Sequence, residues 1–390
     1  MKAFQLRSEQ IAAVTGALIA DELASRFRRH IDYVTAASLS PDEPVREGKL
    51  RLNDNEIEAC AERVAAFFGF DHAELDYAPD VSIRKWGDHI DRVLTLNLKR
   101  FRFTPAGRDS RSEFCEHRAD AVFAEAGAIA NLLYGRRRLI SLVAPHSLTG
   151  FVLSILTPNL QRIDAIDARA KQPSDLTESL AFGDAVVATP TQWRFLLREG
   201  LKAPDNAVGV VFGEAMTVEL ASALRKAGFA AQRELYGSTE SGLIAWRDSP
   251  NDPFVLFEFL ARTNDQLVRT MPSGETKNVT PMDELEWISD RTFRLGPRRD
   301  GAVQVGAINV FPERVGRIIS EHEDIEACEI RSGENSTGYN RLIADITLER
   351  GKSPTESLAR SIDQWCRAKL QPHERPRIYN FGRSEKTDAS

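Results

Sequence analysis

From about residue 100 to residue 230, short apolar runs alternate with amphipathic helical stretches, and this alternation constrains the fold more than any other feature. The runs at 139–143, 185–188 and 209–212 are too short for helices and apolar enough to be buried on both faces. Helical patterns at 119–133 and 218–227 lie on either side of them. Strands alternating with helices of this length predict an α/β fold built on a parallel sheet. Residues 254–287 hold strand-like runs broken by the turn Met271-Pro272-Ser273-Gly274, which predicts β structure beside that sheet.

The flanks read differently. Ile57, Ala61, Val64, Ala65 and Phe68 recur at helical spacing, with Asp54 where an N-cap belongs. A loop at 38–47 carries two prolines, and Trp86, Ile90 and Val93 mark a further helix. Residues 1–97 are therefore expected to form a small helical bundle. At the other end a basic, glycine-containing stretch at 296–306 precedes a helix (313–321), two strands (325–331 and 341–348) and a second helix (353–370). The expected division is a bundle over 1–97, a core over 98–297 and a small α+β domain over 298–390.

A chain of 390 residues exceeds one compact core, which agrees with that division. The net charge of -6 and the lack of a basic stripe argue against nucleic acid as a partner. Four cysteines without a CxxC pair and seven histidines argue against a zinc site and for a reducing cytoplasm. No run approaches 18 apolar residues, so no membrane partner is expected. The apolar stretch at 11–20 runs straight into Asp21 and Glu22, as a packed helix does and a signal peptide does not.

One segment stands out for chemistry: Leu235-Tyr236-Gly237-Ser238-Thr239-Glu240-Ser241-Gly242. A tight Tyr-Gly turn followed by hydroxyls and a carboxylate can flank an adenine, meet phosphate oxygens and reach Mg²⁺. A polar β-turn after a strand has the same spacing, and the spacing alone does not separate the two.

The segment resembles the YGxTE motif of the adenylate-forming superfamily, which includes acyl- and aryl-CoA ligases, luciferases and the adenylation domains of peptide synthetases. Further elements match in order across roughly residues 100–390. Pro145-His146 through Gly150-Phe151 is similar to the family's PxHHxxGF element near the acyl pocket. Residues 186–193 resemble the strand before the pocket helix. Gly213-Glu214-Ala215 matches the substrate loop. Asp283 precedes Arg298 by fifteen positions, as the family's ribose-gripping aspartate and arginine do. Arg298-Arg299-Asp300-Gly301 resembles the hinge, with Asp300 at the pivot. The stretch at 298–315 is similar to a short class of 4-coumarate–CoA ligase. Those enzymes supply the cinnamoyl chromophore of photoactive yellow protein, and they open with a piece that resembles an acyl-carrier protein. The helix at 56–70 matches that piece's second helix. Asp54 stands where a carrier presents its serine; an aspartate cannot take phosphopantetheine, so the bundle is read as structural.

Two segments depart from the family. Its phosphate loop is rich in glycine and hydroxyls and ends in Pro-Lys, because backbone N–H groups and a lysine cradle the triphosphate. Between Phe103 and His117 the chain keeps Gly107. It places Arg108 and Asp109 at Ser/Thr positions, Ser110 at a glycine position and Glu113 at the lysine position. Arg108 and Arg111 can offset the acidic residue in part. The family's closing PKTxxGK element is matched only as Glu385-Lys386-Thr387-Asp388-Ala389-Ser390, which offers Lys386 in place of the final lysine. Cys115, within this region, reads as a packed thiol rather than a nucleophile.

The resemblance implies a truncated adenylate-forming core with a hinged C-terminal lid. It implies ATP, Mg²⁺ and coenzyme A as cofactors and an aryl carboxylate such as 4-coumarate as substrate. Tyr236, Gly237, Ser238, Thr239, Asp283 and Arg298 would hold the nucleotide. Thr239, Glu240 and Lys386 would be catalytic, with Glu240 on the metal. His146, Gly213, Ala215 and Tyr236 would line the acyl pocket. The second reading, from another class, is an adenylation-deficient homologue that binds nucleotide or acyl-CoA as a regulatory partner. The acid and the oligomeric state are not legible in the sequence.

Overall fold

The computed structural model describes residues 6–382, apart from 30, 33–34, 37–38, 98, 106–113, 306–307 and 335–339. The chain forms two compact units, residues 1–281 with 285–295, and residues 282–284 with 296–390.

The first unit opens with helices α1 (Ser8–Arg26), α2 (Asp54–Phe68) and α3 (Ile83–Asn97). In α2 the apolar residues fall on one face and are buried. The cap is Asn53, not Asp54: its side chain accepts from the Glu56 N–H at 3.0 Å, and Glu56 reaches back to the Asn53 N–H at 3.0 Å. Asp54 is instead the first helical residue and pairs with Arg46. Gly69, at φ +78°, ends the helix in the left-handed conformation that glycine adopts without strain.

These helices are not a free-standing bundle. Phe67 on α2 meets Phe103 at 5.1 Å and Phe151 at 5.4 Å, both edge-on. Phe103 lies on β1 (Arg100–Phe103), which pairs antiparallel with β2 (Cys115–Arg118). Phe151 opens a π-helical turn, Phe151–Leu156. One hydrophobic core thus runs from the N-terminal helices into the sheet.

The central sheet has the strand order β13 (Asp283–Trp287), β14 (Thr292–Arg298), β9 (Phe254–Leu256), β8 (Gly242–Arg247), β7 (Ala231–Ser238), β6 (Val208–Phe212), β5 (Asp184–Ala188), β3 (Arg138–Ser141) and β4 (Asp164–Asp167). Its strands β3 (Arg138–Ser141), β4 (Asp164–Asp167), β5 (Asp184–Ala188), β6 (Val208–Phe212) and β7 (Ala231–Ser238) are mutually parallel, as expected. The sheet does not stop there. β8 (Gly242–Arg247), β9 (Phe254–Leu256) and β14 (Thr292–Arg298) extend it antiparallel, so it is mixed. The apolar runs read as two-sided strands for a visible reason. Ala185 and Val187 face the core shared with the N-terminal helices, while Val186 and Ala188 face a second core. That second core is closed by Trp193 on a helix at Pro190–Arg198 and Leu224 on one at Val218–Lys226. The region 254–287 divides: β9 joins the sheet, β10 (Leu260–Thr263), β11 (Gln266–Thr270) and β12 (Thr276–Val279) form their own antiparallel sheet, and β13 (Asp283–Trp287) returns.

The second unit holds a hairpin of β15 (Val303–Val305) and β16 (Ile308–Val310). A three-stranded sheet follows, made of β17 (Ile325–Glu334), β18 (Asn340–Leu348) and β19 (Ile378–Gly382). Helices at Pro312–Ser320 and Glu356–Lys369 pack their apolar faces into its core. The third strand, β19, was not expected.

Candidate active site

The predicted site residues of the first unit sit at the C-terminal ends of its parallel strands, where α/β sheets bind ligands. The loop after β3 carries His146, that after β6 carries Gly213 and Ala215, and the end of β7 carries Tyr236, Gly237 and Ser238. Polar contacts tie these loops together. Gln192 donates to the Leu142 carbonyl at 2.7 Å, Thr191 to Glu214 at 2.8 Å, and the Met216 N–H to Glu234 at 2.8 Å. Glu234 is buried beside Arg247. Burial raises its carboxyl pKa, against the pull of Arg247 and the Met216 N–H.

The motif is a strand end and a tight reversal. Ser238 and Ser241 brace it: each backbone N–H donates to the other's hydroxyl, at 3.1 and 3.2 Å. Gly237 is required by close approach, because a Cβ there would stand 2.3 Å from the Gly242 carbonyl oxygen. The Tyr236 ring lies against Phe254 at 5.5 Å and Phe293 at 5.9 Å. Thr239 and Glu240, in the reversal, are half-buried.

Three side chains that the sequence reading did not single out hold this reversal. His117 on β2 bonds the Thr239 carbonyl at 2.7 Å. Arg269 on β11 donates to the carbonyls of Ser241 and Leu243, at 3.1 and 2.9 Å. Glu125 pairs with Arg269 from the helix α4 (Ala119–Leu132). Burial pushes the His117 pKa below its ordinary value, with Glu125 acting the other way, so the ring is neutral and donates from Nε2. A signal was available: Glu125 repeats in phase with the buried Ala121 and Ile129, so a carboxylate sits on an apolar helix face.

His146 is held by the N-terminal helices, its Nε2 lying 3.6 Å from Asp21 on α1. Asp21 also meets Arg63 on α2 at 3.4 Å.

Asp283 and Arg298, both of the second unit, lie on the neighbouring strands β13 and β14, with the Arg299 N–H donating to the Met282 carbonyl at 2.9 Å. Arg298 is gripped bidentately by Asp300, at 2.9 and 2.7 Å. Burial raises the Asp300 carboxyl pKa, but Arg298 and the Ala302 N–H outweigh it and hold the group low. Lys386 lies outside the described residues, as do Gly107, Arg108, Asp109, Ser110, Arg111 and Glu113 of the phosphate-loop stretch.

No protein-family model matches the chain. A curated 4-coumarate–CoA ligase of Cereibacter sphaeroides is 31% identical over 332 residues, covering 83% of this chain and 78% of that protein. The chain belongs to the 4-coumarate–CoA ligase family. A second family member, from Halorhodospira halophila, is 28% identical over 390 residues, covering 97% of this chain and 96% of its own length. The fold agrees. The amide bond synthetase McbA of Marinactinospora thermotolerans superposes with a TM-score of 0.59 at 15% identity, over 96% of this chain and 90% of its own. A malonyl-CoA ligase ternary product complex with methylmalonyl-CoA and AMP bound superposes at 0.58 and 15% identity, over 72% and 70%. Membership makes this chain an acid–thiol ligase of the adenylate-forming superfamily.

Proposed function

We propose that this 4-coumarate–CoA ligase homologue activates an aryl carboxylate, such as 4-coumarate, with ATP. The acid's oxygen attacks the α-phosphate, pyrophosphate leaves, and the CoA thiol then displaces AMP from the acyl carbonyl to give the thioester. The observation that carries this reading is the braced reversal after β7, which presents Thr239 and Glu240 at the ligand edge of the sheet. Tyr236, Gly237, Ser238 and Thr239 are assigned to the nucleotide, and His146, Gly213 and Ala215 to the acid. Asp283 and Arg298 are assigned to the ribose, Asp300 to the hinge, and Lys386 to the charge on the α-phosphate.

Mg²⁺ arrives with ATP as part of the substrate. It binds through one or two carboxylates plus phosphates and water. One half-buried carboxylate at Glu240 suits that demand. The Mg²⁺ offsets charge on the phosphates when bound; the chain's own part is to aim Glu240 and the Thr239 hydroxyl.

A second reading is favoured by one observation. At the family's lysine position in the phosphate loop stands Glu113, a like charge to the triphosphate. Under that reading the chain binds AMP and acyl-CoA without forming the adenylate. Carboxylate-dependent ATP–pyrophosphate exchange, run beside thioester formation from presynthesised acyl-AMP, separates the two. The ligase reading expects both. Thioester formation without exchange would show that only the second half-reaction survives, and neither activity beside measurable AMP binding would favour a regulatory partner.

A further inference from the structure

The Glu125–Arg269 pair is buried more completely than an ion pair needs to be for packing. Its side chains are 1% and 5% exposed. Removing both charges from water is costly, and apolar residues of the same volume often serve a fold equally well. What apolar residues cannot do is donate to the carbonyls of Ser241 and Leu243, which Arg269 does. The backbone has accommodated the pair. Gly242 sits at φ +73°, and a Cβ there would lie 2.2 Å from Glu125 Oε1 and 2.8 Å from Arg269 Nη2. Arg269 is also stacked on Phe259, 4.7 Å from the ring centroid, so its fork has little freedom to turn. Glu125 keeps its second oxygen buried with no hydrogen-bond partner among the described residues.

His117 completes the set from a different element. Its grip on the Thr239 carbonyl fixes the Thr239–Glu240 peptide plane. That peptide is trans, so the Glu240 N–H points away from His117. Three carbonyls of the reversal are thus held by His117 and Arg269, and the Glu240 N–H faces away from His117.

We propose that His117, Glu125 and Arg269 are positioning residues of the nucleotide site, holding the reversal 239–243 from behind so that the Glu240 N–H, its carboxylate and the Thr239 hydroxyl meet the nucleotide in one orientation. This rests on the nucleotide reading above. It makes the family motif incomplete on its own: the motif needs a histidine more than a hundred residues earlier, and a buried acid–arginine pair contributed by a helix and a separate small sheet.

The test compares full-length wild type with His117→Ala, His117→Gln, Arg269→Lys and Glu125→Gln. Calorimetric AMP affinity, the KM for ATP and for the acid in thioester formation, and Tm are the readouts. Glutamine places an N–H near the position of histidine Nε2. His117→Ala is expected to weaken AMP about tenfold and raise the ATP KM alike, leaving the acid KM within about twofold, since misplaced groups of this kind cost one to two orders of magnitude. His117→Gln should recover most of the loss, and Arg269→Lys should behave like the alanine variant. Should Glu125→Gln not fold, the two His117 variants still decide. AMP affinity unchanged in His117→Ala would overturn the proposal. So would ATP and acid KM rising together in step with a fall in Tm. A wild type that binds AMP but turns over no acid removes the ligase reading and leaves this inference to the AMP affinities. A wild type without AMP affinity overturns both.

Discussion

At Gly237 the residue scale is at its plainest. β8 returns so close to β7 that the position has no room for a methyl group. Gly237→Ala should push the two strands apart, lower stability by about 1–3 kcal/mol and weaken AMP binding; a denaturant midpoint and an AMP titration on the same variant check both. An alanine variant with wild-type stability would mean that the strand end yields easily. The thiols make a second case. Burial, aided by nearby carboxylates, pushes Cys60 far up, and Cys328 is pushed up to about 12. Burial likewise raises Cys366, with the neighbouring Tyr379 hydroxyl acting against it. These three should resist maleimide at pH 8 in the native state; rapid labelling of any of them by mass spectrometry would contradict the packing described.

Among the elements, α2 shows how far local pattern reaches. Its apolar phase and its length were legible because one face is buried along its whole course. Its start was misplaced by one residue, because Asn53 and Asp54 are both good caps and only the backbone geometry chooses. Asn53→Ala should therefore destabilise by about 1 kcal/mol, whereas Asp54→Ala should not, read as a difference in urea midpoints. The strands β3, β5 and β6 were legible because both faces are covered, which leaves an unbroken apolar run. β19 was not, since Ile378–Gly382 alternates exposed and half-buried residues and draws its place from pairing with β18. The β structure of β10–β12 was legible as strand-like runs; the burial of their Arg269 was not, because it looks like a surface charge until the fold covers it.

For the whole molecule, burial of His117 gives a pH dependence with a definite sign. The folded chain keeps the ring neutral, while the unfolded chain takes a proton near the ordinary value of about 6.5. The associated stability is present in full above that value and is lost as pH falls below it toward the depressed folded value. His373 in the second unit has the same sign, since burial lowers it too. Unfolding midpoints measured from pH 7.5 down to 5 should fall, and His117→Gln should flatten part of that slope. A parallel slope in the variant would show that His117 does not titrate on unfolding.

What the amino-acid sequence determined is whatever depends on near neighbours: the alternation of strand and helix, the reversal of Tyr236 to Gly242, and the Asp283 to Arg298 spacing that a hairpin turns into adjacency. Those patterns are set by periodicity and turn chemistry, which act over a few residues. The tertiary structure decided that the N-terminal helices share a core with the sheet, since Phe67, Phe103 and Phe151 meet across eighty-odd residues of chain. It also decided that His117, Glu125 and Arg269 converge on three carbonyls of one reversal. The reason is physical. A charged side chain has no local pattern that marks it as buried; its role follows from the partner and the low-dielectric surroundings that only the folded chain supplies.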